Sequence, residues 1–158
     1  WQVCLPDLPQ EFPPLKTLNP ERHNLPLPAT PFVGREEELA ACTALLLQPA
    51  NRLLTLVGAG GVGKSRTALQ VAELCANDFP DGVCWVELEE ARSGEALLQR
   101  LAYRLQLHLQ PQPSIQQQLG DYLRPRQLLL ALDNTEQIPD AAGALHPSCR
   151  PRRTSNGW

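Results

Sequence analysis

The stretch Leu53-Leu54-Thr55-Leu56-Val57-Gly58-Ala59-Gly60-Gly61-Val62-Gly63-Lys64-Ser65 restricts the fold more than any other part of this chain. An apolar run of strand character passes straight into a glycine-rich loop ending in Lys-Ser, and a helical pattern follows. The spacing Gly-x4-Gly-Lys-Ser is the Walker A pattern in the strand–loop–helix setting it requires. Glycine at Gly58, Gly60, Gly61 and Gly63 lets the backbone turn tightly and approach an anion closely. The amides from Gly58 through Ala59 and Val62 to Arg66 would then converge on a phosphate chain at a helix start. Lys64 supplies a charge for the terminal phosphates, where it would also serve catalysis, and the Ser65 hydroxyl is a ligand type for Mg²⁺. A glycine-rich turn without a ligand is the competing reading, and the flanking strand and helix weigh against it.

A second element of the same chemistry lies downstream. Gln127-Leu128-Leu129-Leu130-Ala131-Leu132-Asp133-Asn134 is an apolar run ending in a carboxylate, the Walker B pattern. Such a run reads as a strand buried on both faces of a parallel sheet. Its terminal Asp133 lies where ligands bind in open α/β sheets and would hold Mg²⁺ opposite Ser65. By itself an apolar run plus Asp is a weak signal, because many strands end in an Asp that merely starts a turn.

Composition narrows the alternatives. The 158 residues make room for one domain or part of a larger one, and a net charge of −3 gives no basic field for nucleic acid. No apolar run approaches a membrane span and no secretory signal opens the chain, so neither a membrane nor export is expected. Cys4, Cys42, Cys75, Cys84 and Cys149 are scattered without a Cys-x-x-Cys pair, which suits ordinary thiols in a reducing cytoplasm. The chain starts with Trp1 and has no methionine, as expected of an internal fragment.

Residues 1–31 are too dense in proline for a helix or a central strand and read as an extended linker after an upstream domain. From Phe32 the pattern changes. An Ala/Leu-rich helix with acidic residues in its first turn runs to Leu47, and a first strand occupies about 52–57. A helix over 64–76 follows, burying Ala68, Leu69, Val71, Ala72 and Leu74. A turn at Asp78–Gly82 leads to a second strand, Val83–Leu88. Ser93 caps a helix over about 94–107, and Ser114 opens a shorter one that ends at Pro125. A third strand spans 127–132. Strands alternating with crossover helices predict an α/β fold with a parallel sheet.

Taken together, Pro31-Phe32-Val33-Gly34-Arg35-Glu36, the glycine loop through Lys64, and Leu132-Asp133-Asn134-x-Glu136 resemble bacterial STAND ATPases. These are signal-transduction NTPases related to the NB-ARC and AAA+ groups. They occur in large transcriptional regulators and joined to class III adenylate/guanylate cyclase domains, and the opening Trp1–Leu15 is similar to the stretch after such a cyclase. The resemblance covers roughly residues 25–140. It implies a P-loop NTPase sheet with flanking helices (here an incomplete three-layer α/β/α) and the cofactors ATP or ADP with Mg²⁺. It also implies Val33, Gly34 and Arg35 as contacts to adenine and ribose, with a solvated helix start formed by Arg35 and its acidic neighbours as the alternative. Related ATPases often place a glutamate directly after the Walker B Asp to polarise water. Here that place is taken by Asn134, and Glu136, two residues further on, either reaches the water from the turn as a catalytic group or is simply a helix-start carboxylate. Slow turnover, with bound ADP or ATP setting a conformational switch, fits this pattern. The implied partners are the adenine nucleotide and other domains of the parent chain, with nucleotide-dependent oligomers of the intact parent.

After Gly143 the pattern departs from the family. His146–Trp158 has neither helical nor strand period, although the family continues with a helix and an apolar strand. One permitted codon choice for 144–158, read in another frame, restores a helix-and-strand-like sequence, so a frame shift near Gly143 is expected. The domains are therefore read as linker 1–31, the N-terminal part of the ATPase domain 32–143, and an atypical tail 144–158. In the related fold the strand after Walker B inserts between the other two central strands. A chain without it is expected to be aggregation-prone or loosely folded. Two rivals stay open: a metabolic P-loop kinase or ATPase, for which no acceptor site is visible, and a fragment that keeps the motif without binding.

Overall fold

The computed structural model describes residues 23–28, 30–139 and 141–145, and of Ala142 the backbone only. Helix α1, Glu36–Leu47, opens with three glutamates at the positive end of its dipole and stops just before Pro49. Helix α2, Lys64–Leu74, springs directly from the glycine loop. Strand β1, Val83–Glu87, comes next, then helices α3, Gly94–Arg104, and α4, Ile115–Leu123. Strand β2, Leu129–Asp133, and helix α5, Ala141–Leu145, complete the described elements. Both expected caps are present. The Ser93 hydroxyl accepts from the Ala96 amide, and Ser114 forms a reciprocal capping box with Gln117.

Strands β1 and β2 pair in parallel, from Val83 beside Leu129 to Glu87 beside Asp133. The ladder extends past both ends, because the Leu129 amide donates to Gly82 O and the Leu88 amide to Asp133 O, each at 3.0 Å. α3 and α4 form the crossover, as parallel pairing requires. On one face Cys84, Val86 and Leu88 pack with Leu97, Leu98, Leu101 and Leu119 into a single buried core, which Ile138 and Leu145 close. The two-residue alternation turns Val83, Trp85, Ala131 and Asp133 to the other face, where α2 lies. The parallel α/β layering expected from the sequence is therefore present in part.

The strand expected at 52–57 is the main correction. That segment pairs with no other strand, and the described sheet has two strands in the order β1–β2. Leu54 and Leu56 are half-buried while Leu53 and Val57 are 65% and 90% exposed, so the side-chain alternation of a strand survives without its ladder. A strand needs a neighbour to satisfy its amides and carbonyls, and among the described residues none lies between this segment and β2. For the same reason β2 is half-buried along its whole length rather than buried on both faces, whereas β1 is buried at four of five positions.

Smaller differences follow from packing. α2 ends at Leu74, which is 52% exposed, while Val71 and Ala72 are buried as expected. α3 ends at Arg104, three residues short of the expected limit, and Leu105 and Leu107 still pack on the core from the following turn. β2 begins two residues later than expected and includes Asp133. Helix α5 runs across the expected 143/144 boundary and buries Leu145, while the tail from His146 onward lies outside the described residues. So does the linker before His23.

Candidate functional site

The glycine loop connects the unpaired segment 52–57 to α2, and its shape follows from its residues. Gly61 and Gly63 hold φ of +75° and +89°, which side chains rarely tolerate. A Cβ on Gly58 would come within 3.1 Å of Val62 Cγ1, so the Val62 side chain would have to give by a few tenths of an ångström. The Val62 amide donates to Ala59 O at 3.4 Å, folding Gly60 and Gly61 into the tip. Gly63 caps α2 without any side chain, leaving the first-turn amides of Lys64, Ser65 and Arg66 with no side-chain cap. Lys64 bends back over this loop, and Nζ donates to Gly58 O at 3.0 Å and to Ala59 O at 3.1 Å. The ammonium thus sits at the mouth of the turn.

Across from it, the Ser65 hydroxyl donates to Asp133 Oδ1 at 2.7 Å, a contact between residues 68 apart in the chain. α2 and the carboxyl end of β2 bring these two residues together, as the sequence predicted. The same Oδ1 accepts from the Asn134 amide at 3.1 Å. Asn134 adopts the left-handed conformation, φ +59°, which Asn tolerates better than most residues and which turns the chain sharply away from the strand. Two hard oxygen donors at bonding distance suit a cation such as Mg²⁺. Among the described residues no cluster of three or more His, Cys, Asp or Glu could hold a metal. Any cation here would draw its remaining ligands from phosphate and water.

Glu136 lies on the short 3₁₀ turn Thr135–Gln137 and is exposed. No hydrogen bond or ion pair joins it to Lys64, Ser65 or Asp133. Gln137 pins this turn to the end of β1 by donating to Glu89 O at 2.8 Å and to Leu88 O at 3.4 Å.

The Val33-Gly34-Arg35 element precedes α1. Val33 is 88% exposed, and Gly34 and Arg35 both hold positive φ, at +77° and +65°. Arg35 reaches the glycine loop: its guanidinium donates to Val62 O at 2.6 Å and to Thr67 Oγ1 at 3.4 Å. Thr67 in turn donates to Gly63 O at 3.1 Å and is buried. Arg35 therefore braces the back of the loop, whatever else it touches. Arg66 points the other way, donating to Thr30 Oγ1, Thr30 O and Pro31 O at 2.9, 2.8 and 3.0 Å. Sequence reasoning missed Thr67 and this grip on residues 30–31. Thr67 sits one turn along α2 from Gly63, where a hydroxyl bonds to the preceding turn, and that spacing could have flagged it.

The family model for the NB-ARC domain matches residues 35–140. A protein of Mycobacterium tuberculosis whose name calls it an HTH-type transcriptional regulator is 40% identical over 102 residues, covering 65% of this chain and 11% of that relative. An uncharacterized protein of the same species is 34% identical over 116 residues, covering 73% of this chain and 29% of that relative. A WD repeat-containing protein of Nostoc is 32% identical over 125 residues, covering 70% of this chain and 10% of that relative. The chain thus spans between about a tenth and three tenths of the curated relatives it matches. No solved structure matches it.

Proposed function

Because the chain belongs to the NB-ARC family of P-loop nucleotide-binding domains, we propose that residues 32–143 are the N-terminal part of a regulatory ATPase module. The module would bind ATP or ADP with Mg²⁺ and serve as a switch in a larger signalling or transcription-regulating protein. The observation that carries this reading is the Ser65–Asp133 contact of 2.7 Å, beside a loop whose lysine hangs over its mouth.

The roles follow from the chemistry of each group. The amides from Gly58 to Arg66 cradle the β- and γ-phosphates, and Lys64 leaves the carbonyls of Gly58 and Ala59 to neutralise them. Ser65 and Asp133 supply oxygen to Mg²⁺, which when bound offsets the charge on the phosphates. Val33 and Gly34 lie toward the base, while Arg35 holds Val62 and Thr67 and so sets the loop's shape. Hydrolysis is slow on this reading, because the position after Asp133 is Asn134 and Glu136 lies out on an exposed turn. Slow turnover keeps one nucleotide bound long enough to report a state. The free thiols of Cys42, Cys75 and Cys84 suit a reducing cytoplasm. The Mycobacterium tuberculosis relative that bears a regulator's name supports a transcription-regulating parent. The resemblance also supports a cyclase fusion upstream and nucleotide-dependent oligomers of the parent.

The test is titration of a fluorescent adenine nucleotide with and without Mg²⁺, on the full chain and on Lys64→Ala. Affinity should depend on Mg²⁺ and fall at least about tenfold in the variant, or about 1.4 kcal/mol. Equal affinity of both proteins, or none in the parent, would overturn the proposal.

A further inference from the structure

A strap made of residues 23–28 and 30–35 runs from the outer edge of β1 to the glycine loop, with a side-chain anchor at each stage. At its start His23 bridges Val83 in parallel, on the edge of β1 opposite β2. Asn24 then takes the place of a neighbouring strand. Its carboxamide accepts from the Trp85 amide at 2.6 Å and donates to Trp85 O at 2.8 Å, satisfying both backbone groups of one residue with one side chain. Further along, Arg66 grips Thr30 and Pro31 with three hydrogen bonds, and Pro28 and Phe32 share a small crevice with Leu69 and Gln70. At its end Arg35 holds Val62 O and Thr67 Oγ1. Two of the three anchors thus engage the glycine loop and the first turn of α2, one of them from the residue that directly follows Ser65.

The strap is held lightly. Asn24, Leu27, Pro28, Thr30, Pro31 and Val33 are exposed, so few apolar contacts support it. Among the described residues, the two ring nitrogens of His23 and the indole nitrogen of Trp85 are buried without a hydrogen-bond partner. Buried groups left unpaired work against docking, and segments with few contacts and exposed hydrogen bonds open locally in a rapid equilibrium.

We infer that this strap is a coupling element: phosphate held in the glycine loop fastens it, and its release loosens the loop. This rests on the nucleotide-binding reading above. The physical reason is shared ordering. A phosphate chain that fixes residues 58–66 also fixes Arg66 and Val62, the points to which the strap is tied, so docking the strap then costs less entropy. By reciprocity, undocking must weaken nucleotide binding by the same factor. The strap includes the last residues of the linker, so whatever lies upstream would feel the nucleotide state through it.

The Trp85 amide is a built-in reporter, because its acceptor is the Asn24 side chain. Hydrogen exchange of the full chain is measured at Trp85 with and without saturating Mg²⁺–ADP, alongside a fluorescent-nucleotide titration, for the parent and for Asn24→Ala. In the parent, nucleotide should slow Trp85 exchange at least fivefold. In Asn24→Ala that protection should vanish and nucleotide affinity should fall two- to fivefold, while the amides of β1 that face β2 keep their slow exchange, showing that the sheet is intact. Nucleotide binding with no change at Trp85, or an Asn24→Ala chain with parental affinity, would overturn the coupling and leave the binding site standing. Absence of nucleotide binding in the parent would overturn both.

Discussion

Asp133 can be examined by two substitutions that separate holding the fold from holding a cation. Its Oδ1 accepts from the Ser65 hydroxyl at 2.7 Å and from the Asn134 amide at 3.1 Å, and all three residues are half-buried. Asp133→Asn keeps an oxygen in that place but removes the charge. Hydrogen bonds to a charged group contribute about 1.5–3 kcal/mol and neutral ones about 1, so each bond should lose about 0.5–2 kcal/mol, and partial burial favours the low end, for a total of about 1–2 kcal/mol. Asp133→Ala removes the acceptor and strands both donors at about 1–3 kcal/mol each; partial burial favours the low end, for a total of about 2–4 kcal/mol. Urea unfolding followed by circular dichroism should therefore rank parent, Asn and Ala in falling stability. Nucleotide titration should show something different. Both variants should lose the gain in affinity that Mg²⁺ gives the parent, because an amide oxygen is a poor substitute for a carboxylate toward a hard cation. If Asp133→Asn kept the parental Mg²⁺ dependence, Asp133 would be only a structural acceptor. If Asp133→Ala were as stable as the parent, the packing argument would fail as well.

Other expectations follow from packing and titration. Leu101 is wholly buried at the centre of the core, so Leu101→Ala should lower unfolding free energy by about 2–5 kcal/mol in the same urea assay. Burial pushes the Cys84 thiol up to about 11, only partly offset by Arg104, against an unfolded value of 9.0. Its contribution to stability is complete below pH 9 and is lost as pH rises through 11, by at most about 3 kcal/mol. Cys84→Ala should flatten that decline in denaturation measured from pH 8 to 11. Leu53 and Val57 expose apolar side chains on a segment without ladder partners among the described residues, so the parent chain should self-associate as concentration rises. Leu53→Lys with Val57→Lys should reduce this in sedimentation velocity, and a monomeric parent with a sharp, reversible thermal transition would contradict the idea.

The legible parts of this chain were those governed by local rules. The caps at Ser93 and Ser114, the stop before Pro49 and the glycine loop each depend on residues within one turn, and each formed where expected. The Ser65–Asp133 meeting was also legible, because two separated motifs implied one crevice. What could not be read depended on neighbours. Leu53–Val57 has the composition of a strand, but a ladder is a property of two segments, and its partner is absent from the described residues. The half-buried state of β2 has the same cause. The roles of Arg35 and Arg66 were hidden for another reason: a long guanidinium side chain can reach several acceptors, and only the path of residues 30–35 decides which. Asn24 carried no sequence signal at all, since an asparagine in a proline-rich stretch ordinarily marks a turn.

The seat of Trp85 gives the molecule an optical property of its own. The ring is 5% exposed and its nitrogen meets no acceptor among the described residues, so its emission should lie toward the blue. Releasing the Trp85 backbone from Asn24 would loosen the strand edge that carries this ring, and any water that then reached the indole would shift that colour to the red. With Trp1 and Trp158 replaced by Phe, the light from this single ring would track such loosening in real time.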